Sequence, residues 1–338
     1  MRAEERAERF RSTFTSLTRE IAKVVVGHEE IVRGVLICLF SGGHALLEGV
    51  PGLGKTLLVK TLAEGLDLRF SRIQFTPDLM PADIIGTNVM IERPEGGRHF
   101  SFQPGALFGQ IVLADEVNRA TPKTQSALLE AMQALSVTVG GVHHTLARPF
   151  FVLATQNPIE MEGTYPLPEA QLDRFLLKLK VEYPSQGELA EIIERTTKPQ
   201  DDPVHKVATG PDVEALKALV REVPIAQPIK EYVTNLVLAT RPDHPGASEM
   251  VRRFVRYGSS PRGAQALVLG GKVRALIDGR FNVSFEDVKA VALASLRHRL
   301  ILSFEGEAEG VDPDQILRDL IGRVPTQPGK VGLLPEGL

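Results

Sequence analysis

The segment Gly49-Val50-Pro51-Gly52-Leu53-Gly54-Lys55-Thr56 has the spacing G-x-x-x-x-G-K-[ST]. Glycines at these positions let the backbone turn its N–H groups inward onto phosphate oxygens, where a side chain would block the approach. The lysine then reaches the β- and γ-phosphates, and the threonine hydroxyl is placed to ligate Mg²⁺. A helix beginning at Lys55 adds the positive end of its dipole to the same anion site. The cradle so defined runs from Gly49 to Thr56 and takes in Leu57, the next residue of that helix. It implies a bound nucleoside triphosphate with Mg²⁺. A glycine turn with an incidental lysine is the alternative, and the flanks argue against it. The apolar run His44–Glu48 precedes the glycines and helical apolar spacing, Thr56–Ala63, follows, which is the strand, loop and helix that the motif requires.

Other positions supply the chemistry such a site needs. Asp115-Glu116 ends the apolar run Ile111–Ala114, and ligands of open parallel sheets bind beyond the carboxyl ends of strands. Asp115 would hold Mg²⁺ through water, and Glu116 would orient and deprotonate the attacking water. The bland alternative is a pair of solvated carboxylates opening a loop. Asn157 closes another apolar run, Phe151–Thr155, where a neutral amide can position the lytic water or touch the γ-phosphate without adding charge. An asparagine starting a turn before Pro158 is its alternative. Arg174 is a candidate arginine finger, able to stabilise charge on the transferring phosphoryl group, with an ion pair to a neighbour such as Asp173 as the bland reading. Arg262 follows Pro261, which suits the first turn of a helix. There it can make closure of a second domain sensitive to the γ-phosphate, or simply be a solvated first-turn arginine.

The elements that position these residues alternate. A mixed-charge helix over 1–25 and an apolar helix over about 30–41, stopped by Gly42-Gly43, lead into the strand before the glycines. Leu68–Phe75, Ile111–Ala114, Phe150–Ala154 and 176–182 read as further strands. Two hairpins interrupt them, one around 87–103 and one around 137–145 with Gly140-Gly141 as its turn. Thr121 is placed to cap a helix that starts at Pro122. The fold class is therefore α/β, a parallel sheet with helices on both faces over 1–184. Ser185-Gln186-Gly187-Glu188 then opens a helix as a capping box. A linker-like run, Lys198–Pro203, follows it. The pattern from about 211 to 322 is helical throughout, so 185–338 reads as a smaller α-helical domain with a loose Pro- and Gly-rich tail from Pro325.

Composition bounds the remaining choices. The 338 residues allow one large or two medium domains. A net charge of −3 provides no global basic field, so nucleic acid is not favoured as the main partner. The single cysteine, Cys38, lies in an apolar run, which leaves no disulfide framework and implies a buried, inert thiol. No apolar run is long enough to span a bilayer and the charged start is not a signal peptide, so a cytoplasmic location is expected. His143-His144 are adjacent on a strand and point to opposite faces, so they cannot share a metal; a solvated pair is expected.

Taken together these residues resemble the AAA+ ATPases, and more narrowly the MoxR family, over roughly 15–325. The resemblance rests on Glu48–Thr56, Arg72–Pro81, Ala114–Ala120, Thr155–Glu160 and Pro168–Phe175. It implies an AAA+ core with an α-helical lid domain, Asn157 as the sensor-1 residue, Arg174 as a finger acting in trans, and Arg262 as the sensor-2 residue. Arg119 would be a further intersubunit arginine. Val26 and Gly27 fall in the stretch that contacts adenine, and the hairpins at 87–103 and 137–145 match the helix-2 insert and the pre-sensor-1 hairpin, near the centre of a ring. The family resemblance further implies an ATP- and Mg²⁺-dependent, chaperone-like ATPase that assembles as a hexameric ring. It would act on protein clients together with a von Willebrand factor A (VWA) domain protein supplied in trans. Two other readings stay open at this point: a nucleic-acid motor, weakened because Arg93 and Arg98 near the first hairpin's tip are offset by Glu92 and Glu95, and a nucleotide-gated switch with little turnover.

Overall fold

A computed structural model describes residues 3–50, 52–92, 97–157, 164–198 and 203–326. The expectations for Pro51, for the hairpin tip at Arg93 and Glu95, for Pro158–Glu160, and for most of the linker and the tail lie outside these residues. Among them the chain forms two compact units. One comprises Thr13–Phe175 and Leu179–Leu216; the other comprises the described part of Met1–Ser12 with Leu176–Lys178 and the chain from Lys217 on.

Helix α1 (Ala3–Val24) buries Phe10, Phe14, Leu17 and Ile21, at the three- and four-residue spacing of one helix face. Helix α2 (Glu29–Ser41) is buried from Gly34 to its end and stops at Gly42, whose φ of 72° is the left-handed conformation glycine adopts without cost. The chain continues through β1 (Ala45–Glu48), α3 (Lys55–Gly65), β2 (Phe70–Gln74) and the short α4 (Pro81–Ile85). A hairpin of β3 (Thr87–Glu92) and β4 (Arg98–Gln103) leads to β5 (Ile111–Asp115), and α5 (Pro122–Ala134) to a second hairpin, β6 (Ser136–Val139) and β7 (Val142–Thr145). Then come β8 (Phe151–Gln156), a single turn α6 (Glu169–Leu172), β9 (Leu177–Lys180), and α7 (Gln186–Thr196) with α8 (Gly210–Glu222).

The main sheet has five strands in the order β2-β5-β8-β1-β9, and the β1–β8, β5–β8 and β2–β5 pairs are parallel. Position follows composition. Ile111–Ala114 and Phe151–Ala154 are continuous apolar runs, covered on both faces, and they occupy the centre of the sheet. The edge strand β9, reading Leu-Lys-Leu-Lys, alternates buried with half-buried residues. Crossovers between parallel strands put helices on the faces, which is the α/β architecture that the sequence implies.

The helical unit contains α9 (Gln227–Ala239), α10 (Glu249–Phe254), α11 (Pro261–Ile277), α12 (Phe285–Leu296), α13 (Phe304–Ala308) and α14 (Pro313–Arg323). The expectation of helix throughout needs one correction. Val255–Tyr257 (β10) pairs antiparallel with Ile301–Leu302 (β11); Val255 and Tyr257, between α10 and α11, are a β-branched and an aromatic residue of the kind that favours extended backbone. The capping box expected at Ser185 forms, and Ser284 makes another with Asp287. Thr121 is at an N-cap position, but its hydroxyl makes no capping bond and instead meets the Thr124 hydroxyl at 3.4 Å. Cys38 is buried and takes part in no disulfide.

Candidate functional site

Two glycines of the loop have backbone angles that favour glycine. Gly52 and Gly54 take φ of +85° and +72°, and nothing lies within 4 Å of where a Cβ would be. The loop therefore presents backbone to open space. Gly54 is the N-cap of α3, and Lys55, the first residue of that helix, donates from Nζ to the Gly49 carbonyl at 2.6 Å. Gly49 packs tightly for another reason: a Cβ there would lie 2.7 Å from the Val181 carbonyl oxygen. Burial pushes the Lys55 ammonium below its ordinary pKa, while the charges of Asp115 and Glu116 pull it back up.

A cleft of about 360 Å³ runs from this loop to the ends of the central strands. Gly52, Gly54, Lys55, Thr56 and Leu57 line one side, and Asp115, Glu116, Thr155, Asn157, Arg72 and Gln74 line the other. Strand register accounts for the second group. Gln74 stands opposite Asp115, and the Ala114–Ala154 pairing puts Thr155 beside Asp115 on the next strand. Neighbours in a parallel ladder share a pleat, so these polar side chains emerge on one face.

The two carboxylates are held by their own chain. Asp115 accepts from the Thr155 hydroxyl at 2.6 Å through Oδ1 and from Arg72 at 2.7 Å through Oδ2. Glu116 accepts at Oε2 from Gln74 at 2.8 Å and from Arg119 at 3.0 Å. Its backbone is left-handed, φ 56° and ψ 48°, which costs a non-glycine residue roughly 1 kcal/mol or more and persists only where neighbours enforce it. At this residue the Glu116 N–H donates to Thr155 Oγ1 at 2.8 Å and the Glu116 carbonyl accepts from the Arg119 N–H at 2.9 Å. Asn157 is buried at the end of β8, and its carbonyl accepts from the Asn118 amide at 3.4 Å.

The donor set fits a magnesium nucleotide. Among the described residues no cluster of three or more His, Cys, Asp or Glu side chains forms. Mg²⁺ is commonly bound by one or two protein oxygens together with substrate phosphates and water. Thr56 and Asp115, facing the loop's open concavity, supply that number. Val26 and Gly27, in the connection between α1 and α2, are outside the residues that line this cleft. Gly27 has φ +67°, a conformation that strains any larger residue, and a Cβ there would also displace the Glu188 carboxylate, 2.0 Å away.

The arginines are placed differently from one another. Arg174 lines none of this cleft; its Nη1 donates to the Leu129 carbonyl in the middle of α5 at 2.7 Å, and its buried Nε has no hydrogen-bond partner among the described residues. Arg119, implied by family resemblance to act between subunits, contacts Glu116 of its own chain. Arg262 is in the first turn of α11, in the other unit, with its backbone N–H on Ser260 Oγ. The histidines need a correction. His143 is exposed and bonded to Thr138, but His144 is half-buried and stacks on Phe102 with ring centroids 3.7 Å apart, joining the two hairpins. Thr155, Arg72 and Gln74 lie in segments that carry the family resemblance but were given no role of their own from sequence, although a signal was present. Thr155 is two residues before Asn157, and Arg72 two before Gln74, the spacing that puts strand side chains on one face.

Residues 44–177 match the family described as "ATPase family associated with various cellular activities (AAA)", and residues 247–320 match the AAA lid domain. The chain is 42% identical over 308 residues to chaperone MoxR1 of Mycobacterium tuberculosis, spanning 90% of this chain and 80% of that protein. It is 30% identical over 334 residues to protein MoxR of Methylorubrum extorquens, spanning 94% and 96%. The crystal structure of a proposed ATPase from Cytophaga hutchinsonii superposes with a TM-score of 0.89 at 43% identity, covering 96% of this chain and 97% of that one. With similarity running through both units at these levels, the chain belongs to the MoxR family of AAA+ ATPases.

Proposed function

We propose that this protein binds and hydrolyses ATP with Mg²⁺ to drive remodelling, assembly or cofactor insertion in partner protein complexes, as a cytoplasmic, ring-forming, hexameric motor. The observation that carries this reading is the cleft that gathers Lys55, Thr56, Asp115, Glu116 and Asn157 around an open glycine loop. Lys55 would engage the β- and γ-phosphates, the loop from Gly49 to Leu57 would wrap them with the N–H groups of its non-proline residues, and Val26 and Gly27 would border adenine. When bound, Mg²⁺ would be held by Thr56 and by Asp115 and would offset phosphate charge. Glu116 would take the proton of the attacking water, which Asn157 orients.

Arg174 would act on a neighbouring subunit's nucleotide, which agrees with its position outside its own cleft, and Arg262 would sense the γ-phosphate. A VWA-domain protein in trans is the expected partner, by family resemblance, for delivering the motor to its clients.

Glu116→Gln tests this. Nucleotide binding should persist while turnover falls about 10²–10⁴-fold, and light scattering with ATP and Mg²⁺ should show a rise to about six subunits. Wild-type turnover by Glu116→Gln would sink the base assignment. A variant that stays monomeric with ATP bound would sink autonomous ring assembly and leave the partner as its requirement.

A further inference from the structure

We infer that Thr155 is the positioning residue that sets both carboxylates of the cleft at once. The inference rests on the hydrolysis reading above and adds to it a residue with no role in that scheme. Thr155 is 1% exposed, near the end of β8, and its side chain lies in the cleft wall. Its single oxygen makes two bonds of opposite sense: it donates to Asp115 Oδ1 at 2.6 Å and accepts from the Glu116 N–H at 2.8 Å. A hydroxyl can do both because it carries one donor and two acceptor sites.

The consequences for the two carboxylates differ. For Asp115 the bond fixes one oxygen, so the side chain is held in one rotation and its second oxygen faces Arg72 and the cleft. For Glu116 the bond is to the backbone, at the residue where the strand ends and the chain turns left-handed. Beyond β5 that N–H has left the sheet ladder, and the hydroxyl is the partner it finds. The direction in which the Glu116 side chain leaves the backbone is therefore set by a residue two strand positions before Asn157. Thr155 thus links metal holding and water activation to the strand that ends in Asn157.

Valine and serine separate the hydroxyl from the shape. Thr155→Val keeps the branched outline and loses both bonds; Thr155→Ser keeps the hydroxyl and loses one methyl. In nucleotide-free protein, the Glu116 amide should exchange with solvent at least about tenfold faster in Thr155→Val than in wild type or Thr155→Ser. In titrations of a fluorescent ATP analogue, Thr155→Val should need about tenfold more Mg²⁺ for half-saturation, with little change in affinity without Mg²⁺. At saturating Mg²⁺ and ATP its kcat should still be about 10- to 100-fold low, and Thr155→Ser should recover to within a few-fold of wild type.

Equal impairment of the two variants would overturn the inference in favour of packing. So would Thr155→Val with wild-type amide exchange and Mg²⁺ requirement. If the wild-type protein binds nucleotide and does not hydrolyse it, the hydrolysis reading fails, and the exchange and Mg²⁺ measurements still decide Thr155.

Discussion

At the carboxyl end of β5, Asp115 and Glu116 are met by Arg72, Gln74, Arg119 and Thr155, all of the same chain. In the hairpin of β3 and β4, by contrast, one face carries Phe102, packed on His144 and Phe108, and then Phe100 and Met90, which are 69% and 52% exposed. The cleft is a polar surface satisfied from within. The hairpin is an apolar surface satisfied over only part of its length. A protein that must fold alone has little reason to leave large apolar side chains in water beside covered ones, and such surfaces mark contacts with other molecules. The difference separates what one chain completes from what it leaves to others, and the role proposed for Arg174 would put it with the second group.

The largest effect should come from Arg174. If it completes a neighbour's cleft, Arg174→Ala should lower ATP turnover by about 10³-fold at saturating protein, a loss of about 4 kcal/mol in transition-state stabilisation. Nucleotide affinity should change little. Mixing Arg174→Ala with Glu116→Gln, each inactive alone, should restore part of the activity, since an intact Glu116 can then sit beside a neighbour's intact Arg174. No recovery on mixing, or full turnover by Arg174→Ala, would return Arg174 to a fastener of α5 through the Leu129 carbonyl.

A smaller effect tests the hairpin. Phe102→Ala should lower stability in chemical denaturation by about 2 kcal/mol, because it removes partly buried apolar area and the stack on His144. Phe100→Ala, two residues away on the same face, should stay within about 0.5 kcal/mol of wild type. Equal losses at both positions would mean that the apolar stripe serves the fold of a single chain, and the contrast with the cleft would collapse.

How much of this was legible in the sequence depends on what each feature is made from. The glycine loop, Asp115, Glu116 and Asn157 belong to contiguous motifs with local geometry: a strand, a turn and the start of a helix. Central strands were readable because Ile111–Ala114 and Phe151–Ala154 are apolar without interruption. Thr155, Arg72 and Gln74 act across strands 39 to 43 residues apart, so their roles appear only when the register is known. His144 was misjudged for a similar reason. Alternation along β7 gives its face, and the ring that covers that face, Phe102, comes from the other hairpin. The two-residue strand Ile301–Leu302 was invisible because its partner is 44 residues earlier and too short to have a period.

The smallest effect distinguishes the two sides of Asp115. Oδ1 is held by a buried hydroxyl, but Oδ2 is held by Arg72, whose side chain is 47% exposed. An ion pair that open to solvent contributes at most about 1 kcal/mol and weakens with salt. Arg72 also occupies the oxygen that a cation at Asp115 would share, so the guanidinium and Mg²⁺ compete. Arg72→Ala should therefore lower the Mg²⁺ needed for half-maximal nucleotide binding, by about two- to fivefold, the equivalent of 1 kcal/mol or less. The difference from wild type should shrink as ionic strength rises. Thr155→Val moves the same quantity upward, so substitutions on either side of one carboxylate are expected to act in opposite directions. If Arg72→Ala also raises the Mg²⁺ requirement, Arg72 is a second clamp on Asp115, and both sides of the carboxylate are fixed in advance of the metal.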